Sequence, residues 1–581
     1  MCGIAGEVNL LKEVRSNKSY LSVLAHRGPH NSKKIKINKK ICFYHTRLKI
    51  IDLSDESNQP MMSKDKRFVI TYNGELYNYL EIKRRLEEKG YKFETNGDTE
   101  VFLKGFIEFG TDFFKLANGI FAVSIYDKKQ DLLFISRDFV GVKPLYYYLS
   151  NTRLIFSSEQ KAIIQNAGIP VKLNKKVLNE YLFYKYISGE ETLVQNIKKF
   201  LPGKLYIFDL KSKNILVKTF NFYKFIETSH KENFINTVEN TKILLQKSVN
   251  LQLQSDASVG IQLSGGIDST IITEISSKKK DIKNLYFSTF QNFKKDEFRY
   301  ANFVAKKLKL DLQKISLNKN FFIKNLKKAI YYLDEPLNHP HSLAIYQISK
   351  KAKKNVSVIL AGEGADEIFF GYERYKNISE RTNDENIIRN GAFLRTKDDL
   401  ELFKLFRSSY YGEEHFNRKK ILSKLNVENN IKKFQLFESQ THLQSLLLRS
   451  DKMMMANSIE ARVPFLDRDL FNYALNIDNS IKKKDEKKII LKKILLDEGY
   501  PKNFVRRKKI GYIVPYNDWI KSQKKFEYEL NNEILISLFG DDNIKKLIKN
   551  LNNNKNIYTN AKFYWLLSNL KKFINIFNID L

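Results

Sequence analysis

Short apolar stretches, rich in β-branched and aromatic residues and separated by turn-forming residues, fill the N-terminal third of the chain. Three of them are KICFYHTRLKIIDL (40–53), KRFVITYNGELYN (66–78) and GIFAVSIYD (119–127), and their composition predicts β-strands. Between strands, LEIKRRLEEKG (80–90) and DTEVFLKGFIEFG (98–110) place apolar residues three and four positions apart, which predicts amphipathic helices. The pattern therefore predicts a layered α+β unit.

From about residue 235 the pattern changes to helices that alternate with strands. A helix with apolar periodicity (238–254) leads into the strand VGIQL (259–263), and a second strand, VSVILA (356–361), follows later. Each of these strands runs directly into a glycine-rich segment. Alternating strands and helices predict a mostly parallel α/β sheet, in which ligands bind at the carboxyl ends of the strands.

The change of pattern also predicts the domain boundaries. We place the α+β unit at residues 2–210, the α/β unit at 230–525 and a C-terminal helical and polar tail at 526–581. The main boundary falls within 205–230. The tail contains the polar run IKKLIKNLNNNKN (544–556), which predicts a solvated helical surface or loop.

Composition narrows the class of protein. Hydrophobic residues make up 43% of the 581 residues, which is enough for more than one buried core. No apolar run approaches the ~18 residues that span a bilayer, and the start lacks the basic-then-apolar layout of a secretory signal. Only two cysteines occur, Cys2 and Cys42, which excludes a disulfide framework and an all-cysteine zinc site. The sequence therefore predicts a soluble, cytoplasmic protein without a membrane partner.

The chain is strongly basic, with a formal charge of +35 from 100 Lys and Arg against 65 Asp and Glu. A basic surface attracts polyanions, so nucleic acid has to be considered as a partner. The basic residues are mostly lysines spread along the whole chain rather than gathered in one segment. This spread indicates compositional drift, and we predict small-molecule substrates and no nucleic-acid partner.

Cys2 stands where a cysteine can act as a nucleophile without a histidine partner. Removal of Met1, which is usual before a residue as small as cysteine, would leave Cys2 with a free α-amine. That amine, with an ordinary pKa of about 7.7–8.0, can serve as the general base for the thiol. An incidental cysteine is equally compatible with the position alone, so the surrounding motifs decide.

Five motifs in a fixed order support the catalytic interpretation: MCGIAG (1–6), HRGPH (26–30), HTRLKIIDLSDESNQPM (45–61), YNGELYN (72–78) and NGDTEVF (96–102). Together they resemble the glutaminase domain of class II amidotransferases, an N-terminal-nucleophile fold built as an αββα sandwich. In that family HRGP is usually followed by aspartate, whereas His30 stands here. The difference concerns the conformation of this loop more than the reaction.

The resemblance implies a role for each matching residue. Cys2 would attack the carboxamide of glutamine to form a thioester, while the Asn73 side chain and the Gly74 backbone N–H hold the oxyanion. Arg47 would pair with the α-carboxylate of glutamine, a task suited to a planar guanidinium. Two carboxylates would hold the α-ammonium group. The implied glutamine-binding residues are Arg47, Asn73, Glu75 and Asp98.

The segment LSGGIDST (263–270) follows an apolar strand and opens a helix. Small residues let the backbone approach phosphates closely, and a helix N-terminus offers N–H groups and partial positive charge. No GxxxxGK[ST] sequence occurs, so this is not a Walker-type loop. SGGIDS resembles instead the pyrophosphate-binding loop of N-type ATP pyrophosphatases, which adenylate a substrate and release pyrophosphate. The implied ATP- and pyrophosphate-binding residues are Leu263, Ser264, Gly265, Gly266, Asp268, Ser269 and Gly362.

Later motifs complete the resemblance. LAGEGADEIFFGYERY (360–375), RSDKMMMANSIEARVPFLDRDL (449–470) and YPKNFVRRKKIGYIVP (500–515) match signatures of the glutamine-hydrolysing asparagine synthetase family. The MMM run could be mistaken for a metal site, but it predicts core packing. The resemblance covers roughly residues 2–520.

Family membership implies the remaining roles and cofactors. Glu363 would handle protons during attack by ammonia, and Asp366 and Asp268 would hold Mg²⁺ beside ATP. Lys488 would stabilise charge that develops on an adenylate, although its neighbour Lys487 keeps the register open by one residue. The implied reaction joins ATP and aspartate as β-aspartyl-AMP, which ammonia from glutamine converts to asparagine. A homodimer is implied as well.

Three departures from the family pattern leave the acceptor open. The usual serine before GEG is Ala361, one glycine of the usual FGGY is Phe370, and Ala344 stands where relatives often have proline. We expect these positions near the acceptor site, so amidation of a sugar carboxylate or another acid stays an alternative. Two rivals are disfavoured by the retained site residues: β-lactam synthetase-like cyclisation, and a nucleic-acid-binding protein with an inactive ligase fold.

Overall fold

The computed structural model describes residues 2–14, 17, 19–212, 214–221, 232–279, 282–291, 297–482, 486–509, 514–521, 526–553 and 555–581. Met1, part of the expected boundary (222–230) and part of the closing motif (510–513) lie outside the described residues. Within the described ranges there are two antiparallel sheets and one parallel sheet.

The N-terminal unit contains the two antiparallel sheets. Its strands are β1 (Cys2–Asn9), β2 (Asn31–Lys36), β3 (Ile41–Arg47), β4 (Met61–Met62), β5 (Phe68–Leu76), β6 (Gly119–Asp127), β7 (Leu132–Arg137), β8 (Tyr146–Leu149), β9 (Arg153–Ser157), β10 (Ile197–Lys199), β11 (Lys204–Asp209) and β12 (Leu216–Asn221). One sheet has the order β10-β8-β9-β1-β3-β2, and the other has the order β12-β11-β7-β6-β5-β4.

Helices cover the outer faces of both sheets. They are α1 (Ser19–Leu24), α2 (Tyr79–Glu87), α3 (Asp98–Phe109), α4 (Phe113–Leu116), α5 (Gln160–Asn166) and α6 (Leu178–Tyr184). Tyr20 of α1 packs on Tyr44 of the first sheet, and Phe102 of α3 packs on Phe121 of the second. Between the sheets, apolar side chains of β1 and β3 share a core with those of β5, β6 and β7. The layers are therefore α, β, β and α, and the predicted αββα sandwich is confirmed.

The C-terminal unit is built on the parallel sheet. Its strands are β13 (Val259–Gln262), β14 (Asn284–Phe290), β15 (Asp311–Leu317), β16 (Val358–Leu360) and β17 (Glu460–Arg462), in the order β15-β14-β13-β16-β17. Its helices are α7 (Phe234–Gln252), α8 (Ile267–Ser277), α9 (Phe298–Lys307), α10 (Lys319–Leu333), α11 (Ser342–Ala352), α12 (Ala365–Ile368), α13 (Asp384–Arg389), α14 (Lys397–Phe406), α15 (Phe416–Leu422), α16 (Asn430–Gln440), α17 (His442–Met455), α18 (Arg468–Asn476), α19 (Asn479–Lys482), α20 (Ile489–Asp497), α21 (Lys502–Val505), α22 (Tyr516–Lys521), α23 (Phe526–Leu530), α24 (Glu533–Phe539), α25 (Asp541–Asn552) and α26 (Ile557–Phe577).

The parallel sheet brings the two glycine-rich motifs to one edge. β13 and β16 are neighbours, with Ile261 opposite Leu360, so both strands end side by side. The LSGGIDST segment follows β13 and the AGEGAD segment follows β16. The carboxyl edge of a parallel sheet is where α/β folds bind ligands, and the predicted α/β fold of this unit is confirmed.

The C-terminal tail differs from the polar, solvated segment that the sequence predicts. α25 buries an apolar stripe that includes Ile544 and Leu547, and α26 is buried along most of its length. Trp565 of α26 donates its indole N–H to the carbonyl of Leu337, at 3.0 Å. α25 is a helix with an exposed polar face, as predicted, but tertiary packing buries its apolar face and most of α26.

Two smaller expectations concern apolar segments. Met453, Met454 and Met455 are all fully buried at 0% exposure, as core packing of the MMM run predicts. None of the described helices is long and apolar enough to cross a membrane.

Candidate active sites

Cys2 is held in place by backbone contacts on both sides. It begins β1 and pairs with Arg47 at the end of β3. Its N–H donates to Asn73 Oδ1 at 3.0 Å, and its carbonyl accepts from Arg27 Nε at 3.1 Å. Burial raises the pKa of the Cys2 thiol, and the Arg47 guanidinium lowers it only in part. The free thiol is therefore mostly protonated, and a general base has to activate it.

Asn73 and Gly74, on β5, lie beside this nucleophile. The Asn73 side-chain Nδ2 is buried and has no hydrogen-bond partner among the described residues. A buried donor without a partner costs about 1–3 kcal/mol, so this amide can take up an oxyanion. At Gly74 a Cβ would stand 2.2 Å from the carbonyl oxygen of Ile120, so only glycine fits against β6. The structure brings Cys2 next to the predicted oxyanion pair.

Arg47 and Asp98 are buried charges held by neighbouring backbone. Arg47 donates to the carbonyls of Ser54 and Asp52 and, at 3.0 Å, to Asn58 Oδ1. Asp98 is the first residue of α3 and accepts the Leu76 N–H at 2.8 Å. Burial raises the pKa of Asp98 to about 6. An ammonium group beside Asp98 would restore its negative charge, which agrees with the role predicted for it.

Glu75 makes its visible contact with the C-terminal unit. Its side chain is 3% exposed, and its Oε2 lies 3.3 Å from Nη2 of Arg462 on β17. Burial, together with the nearby Glu460 carboxylate, raises the pKa of Glu75 well above its ordinary value. In the structure Glu75 thus contacts the C-terminal unit through Arg462. That Glu75 also binds glutamine stays a prediction.

A buried ionic network also joins the two units. Arg27 pairs with Glu159 at 3.1 Å and, across the interface, with Asp451 at 2.9 Å. Lys161 pairs with Asp334 of the C-terminal unit at 2.9 Å. These side chains are at most 1% exposed. Sequence analysis missed this network, because its members are hundreds of positions apart in the chain.

The loop after β13 packs closely against the backbone of α9 at Gly265. Gly265 has a φ of +78°, and a Cβ there would stand 2.6 Å from the backbone N of Ala301. Ser264 Oγ lies 3.0 Å from Ser269 Oγ and accepts the Gly266 N–H at 3.2 Å. These bonds tie the loop to the first turn of α8, whose N-terminus faces the same edge of the sheet. Such a terminus suits phosphate oxygens.

Lys488 connects the two acidic motifs. Its Nζ lies 2.6 Å from both carboxylate oxygens of Asp268 and 2.5 Å from Asp366 Oδ1. Lys509 approaches the other oxygen of Asp366 at 3.0 Å. Burial raises the pKa of Asp366, but the ammonium groups of Lys488 and Lys509 lower it by more. The pKa of Asp366 is therefore below its ordinary value. Burial lowers the pKa of Lys488, and the two carboxylates more than reverse this, so its ammonium stays charged.

The structure separates Lys488 from its neighbour. Lys487 pairs with the exposed Glu373 and forms no ion pair with either aspartate among the described residues. The ammonium between Asp268 and Asp366 is therefore that of Lys488. Two carboxylates that approach one cation within 2.6 Å also fit Mg²⁺, which binds one or two carboxylates together with nucleotide phosphates.

A cavity of about 740 Å³ opens at this edge of the sheet. Burial raises the pKa of Glu363 on its wall, and Arg449 lowers it in part. Two predicted residues do not line the cavity: Leu263 is buried in the core beneath it, and the Gly265 carbonyl accepts from Arg507. The predicted residues that do line it are Ser264, Gly266, Asp268, Ser269, Gly362, Glu363, Asp366 and Lys488.

The three departures from the family pattern do not line this cavity. Ala361 is 1% exposed, and Ala344 lies in a small core with Phe290. Phe370 stacks on Tyr375, with ring centroids 4.8 Å apart, inside a separate core. Its φ of +55° explains why glycine is usual there, since this region favours residues without a Cβ. Ala361 and Phe370 each precede a glycine that does line it, Gly362 and Gly371, so the expectation that the departures lie near the acceptor site stays a prediction.

His30, the remaining departure, is exposed and lies in the N-terminal unit. Its Nδ1 accepts the Lys49 N–H at 2.9 Å, so the loop is held without the usual aspartate. Burial lowers the pKa of His30, as do nearby positive charges.

Sequence analysis also missed four residues that line the cavity: His339, His341, His442 and Arg449. The sequence gives only a weak signal for the first two, which are histidines on either side of Pro340. Positions 442 and 449 are seven apart on α17, which puts them on one helix face. Only the fold brings these two segments together.

Two known protein families match the chain, one in each half. Residues 1–221 match the glutamine amidotransferase domain, and residues 240–561 match the asparagine synthase family. The second match extends well into the segment that the sequence analysis separated as a tail.

Curated relatives match over most of the chain. Asparagine synthetase [glutamine-hydrolyzing] 1 of Bacillus subtilis is 29% identical over 566 residues, covering 90% of this chain and 88% of the relative. Putative asparagine synthetase [glutamine-hydrolyzing] 2 of Methanocaldococcus jannaschii is 34% identical, covering 65% of this chain and 76% of the relative. Asparagine synthetase [glutamine-hydrolyzing] 3 of Bacillus subtilis is 30% identical, covering 88% and 87%. With its two matched domains and the Cys2 and Lys488 sites in their expected halves, this chain belongs to the asparagine synthase family and is a glutamine-dependent amidoligase.

Proposed function

We propose that the chain makes asparagine from aspartate, glutamine and ATP. A carboxylate oxygen of aspartate attacks the α-phosphorus of ATP, which forms β-aspartyl-AMP and expels pyrophosphate. Ammonia then attacks the acyl carbon, and AMP leaves. The observation that carries the proposal is the position of Lys488, whose ammonium joins Asp268 and Asp366 beside the Ser264–Ser269 loop.

The N-terminal site releases the ammonia in this proposal. The thiol of Cys2 attacks the carboxamide carbon of glutamine, and the α-amine that Met1 removal exposes takes the thiol proton. Asn73 Nδ2, buried and without a partner among the described residues, donates to the oxyanion together with the Gly74 N–H. Arg47 and Asp98 hold the two charged groups of the amino acid. Ammonia leaves, and water hydrolyses the thioester to glutamate.

The C-terminal site activates the acceptor. Asp268 and Asp366 would hold Mg²⁺, which would neutralise negative charge on the phosphates. The loop from Ser264 to Ser269 donates hydrogen bonds to the departing pyrophosphate. Lys488 offsets negative charge as the α-phosphorus is attacked. Glu363, whose pKa burial raises, accepts a proton from ammonia as the C–N bond forms.

Ammonia crosses between the sites inside the protein in this proposal. Free ammonia is mostly protonated at neutral pH, and ammonium is not a nucleophile, so an enclosed route protects the reactive form. The buried contacts of Arg27 with Asp451 and of Glu75 with Arg462 support it, since they seal the interface between the units. The cytoplasmic location and the homodimer stay predictions.

Pyrophosphate release tests the proposal. Purified protein with ATP, Mg²⁺ and glutamine should release pyrophosphate only when aspartate is added, with asparagine as the product. Cys2→Ala should abolish synthesis from glutamine and leave synthesis from ammonium chloride within about twofold, since the two sites are separate. If both activities disappear in Cys2→Ala, the division of labour is wrong.

The alternative acceptor, a sugar carboxylate or another acid, is motivated by Ala361, Ala344 and Phe370, whose own side chains do not line the cavity. The same assay decides it. Glutamine hydrolysis that proceeds while aspartate fails and a hexuronic acid succeeds in driving pyrophosphate release would select the alternative.

A further inference from the structure

One wall of the synthetase cavity contains side chains that the proposed reaction does not use. We call it the histidine wall, and it consists of His339, His341, His442 and Arg449. The first two precede α11, and their ring centroids lie 4.7 Å apart. The last two lie on one face of α17. Glu363 lines the same cavity, and the Arg449 charge lowers the pKa of its carboxyl.

Two basic side chains contact the rings of the wall. Lys185 Nζ lies 2.9 Å from His339 Nδ1, and Arg449 Nη1 donates to His341 Nε2. A neutral imidazole has one acceptor nitrogen and one N–H. Because a guanidinium only donates, the hydrogen of the His341 ring lies on Nδ1. In the tautomer of His339 that accepts from Lys185 at Nδ1, the hydrogen lies on Nε2, which then presents a donor to the cavity.

Arg449 is the positive charge of the wall, because burial lowers the pKa of Lys185 well below its ordinary value. Within the described part of the chain, neither Lys185 nor Arg449 forms an ion pair with an acidic side chain. Arg449 is only 6% exposed, and its Nε has no hydrogen-bond partner among the described residues, nor has Nε2 of His339. Buried charges and donors without partners are costly, so such a site favours a ligand that brings oxygen acceptors.

Acidic groups face the same cavity but are already engaged. Glu367 accepts from the Tyr372 hydroxyl at 2.8 Å. Burial lowers the pKa of His339 well below its ordinary value, and Lys185 lowers it further, so the ring is a neutral donor. Glu363 is the carboxylate to which the proposed reaction gives a proton. The groups of the wall that remain without a partner among the described residues are nitrogens of His339 and Arg449, which can donate hydrogen bonds to oxygen atoms.

We propose that the histidine wall binds the non-reacting, oxygen-rich end of the acceptor acid, with His339 as its specificity-determining residue. This inference rests on the proposed function, because it assumes that the acceptor carboxyl is activated in this cavity. Lys488 and the wall line the same cavity, so an acceptor with its reacting carboxyl beside Lys488 can turn its other end towards the wall. For aspartate that end is the α-carboxylate, and for a hexuronic acid it is the ring and hydroxyl oxygens. Either source supplies acceptors for the His339 N–H.

Steady-state pyrophosphate release from the full chain tests the assignment, with ammonium chloride as nitrogen source and aspartate or a hexuronic acid varied. His339→Ala should raise the acceptor KM by about 10- to 100-fold, the loss expected for a hydrogen bond to a charged group. The KM for ATP and the rate of glutamine hydrolysis should not change. His339→Gln, which sets an N–H near the Nε2 position, should recover most of the affinity, whereas His339→Asn should not.

A buried histidine outside the cavity provides the control. His415 is 7% exposed and bonds to the Tyr184 hydroxyl, so His415→Ala should leave the acceptor KM within twofold. An unchanged acceptor KM in His339→Ala, or an equal rise in the KM for ATP, would overturn the assignment. Equal behaviour of His339→Gln and His339→Asn would also overturn it, since a merely structural role does not distinguish them.

The two proposals fail separately in this experiment. If only the hexuronic acid supports release and its KM responds to His339→Ala, the wall assignment holds and aspartate is rejected. If aspartate supports release and its KM ignores His339→Ala, the proposed function holds and the wall assignment is rejected. If neither acid supports release in the wild type, both are contradicted.

Discussion

Replacing Lys488 by methionine removes the ammonium group that pairs with both Asp268 and Asp366. Asp268 then has no ion-pair partner among the described residues, whereas Asp366 keeps Lys509 at 3.0 Å. Removing one member of a buried ion pair costs about 3–5 kcal/mol. The Asp268 side chain is 18% exposed, which puts the loss at the lower end, about 3 kcal/mol of unfolding free energy.

The same substitution should remove most of the synthetase activity. A preorganised charge aimed at a transition state contributes roughly 100- to 1000-fold in rate, so pyrophosphate release in Lys488→Met should fall by that factor. Glutamine hydrolysis should persist, because Cys2 lies in the other unit. Thermal denaturation and the pyrophosphate assay measure the two effects independently.

The stability loss should depend on pH. The pKa of Asp366 in the folded protein is below its ordinary value. Ionised Asp366 therefore stabilises the fold at pH values above that ordinary pKa, and this stabilisation is lost as the pH falls through the folded pKa. In Lys488→Met both aspartates lose this ammonium, their pKa values rise, and they take up protons in the folded state at higher pH. The difference in Tm between wild type and variant should therefore be largest near pH 7 and narrow towards pH 4.

Lys487→Met is the matched control. Lys487 is paired with Glu373, and the two side chains are 37% and 67% exposed, so its loss should cost under about 1 kcal/mol and leave activity within twofold. Wild-type synthesis in Lys488→Met, or a large loss of synthesis in Lys487→Met, would refute the reasoning.

Three further predictions address other parts of the chain. Because burial raises the pKa of Asp98 to about 6, kcat/KM for glutamine should fall as pH drops through 6, and a flat profile from pH 5 to 8 would contradict the ammonium contact. Phe370→Gly should relieve about 1–2 kcal/mol of backbone strain but lose about 3–5 kcal/mol of packing, which lowers Tm with an unchanged acceptor KM. Arg27→Met should destabilise by about 3–5 kcal/mol, since it leaves Glu159 and Asp451 with a missing cation; an unchanged Tm would show that the network contributes nothing.

Much of the fold could be predicted because the local signals are strong. The strands around Asn73 and the helix that begins at Asp98 follow from residue periodicity and turn residues alone. The loop after β13 could be predicted because its glycines and serines are adjacent in sequence. In these segments, local preference and tertiary structure agree.

Other features depend on partners that are distant in the chain. The α26 helix is buried because other helices cover its apolar face, and nothing local to 557–577 identifies them. The Phe370 side chain packs in a core with Tyr375 and does not line the cavity. Its backbone has a positive φ, which the motif alone does not reveal for a residue other than glycine. The histidine wall joins residues 339 and 442 through the fold, so no spacing rule could find it.

The most direct test of the central claim follows oxygen from aspartate. Aspartate labelled with ¹⁸O in its β-carboxylate should transfer one labelled oxygen to AMP and keep the other in asparagine, because the acyl–oxygen bond of β-aspartyl-AMP breaks when ammonia attacks. Labelled AMP formed together with pyrophosphate would support the adenylate at the Lys488 site. Unlabelled AMP, or labelled inorganic phosphate formed with ADP, would contradict it.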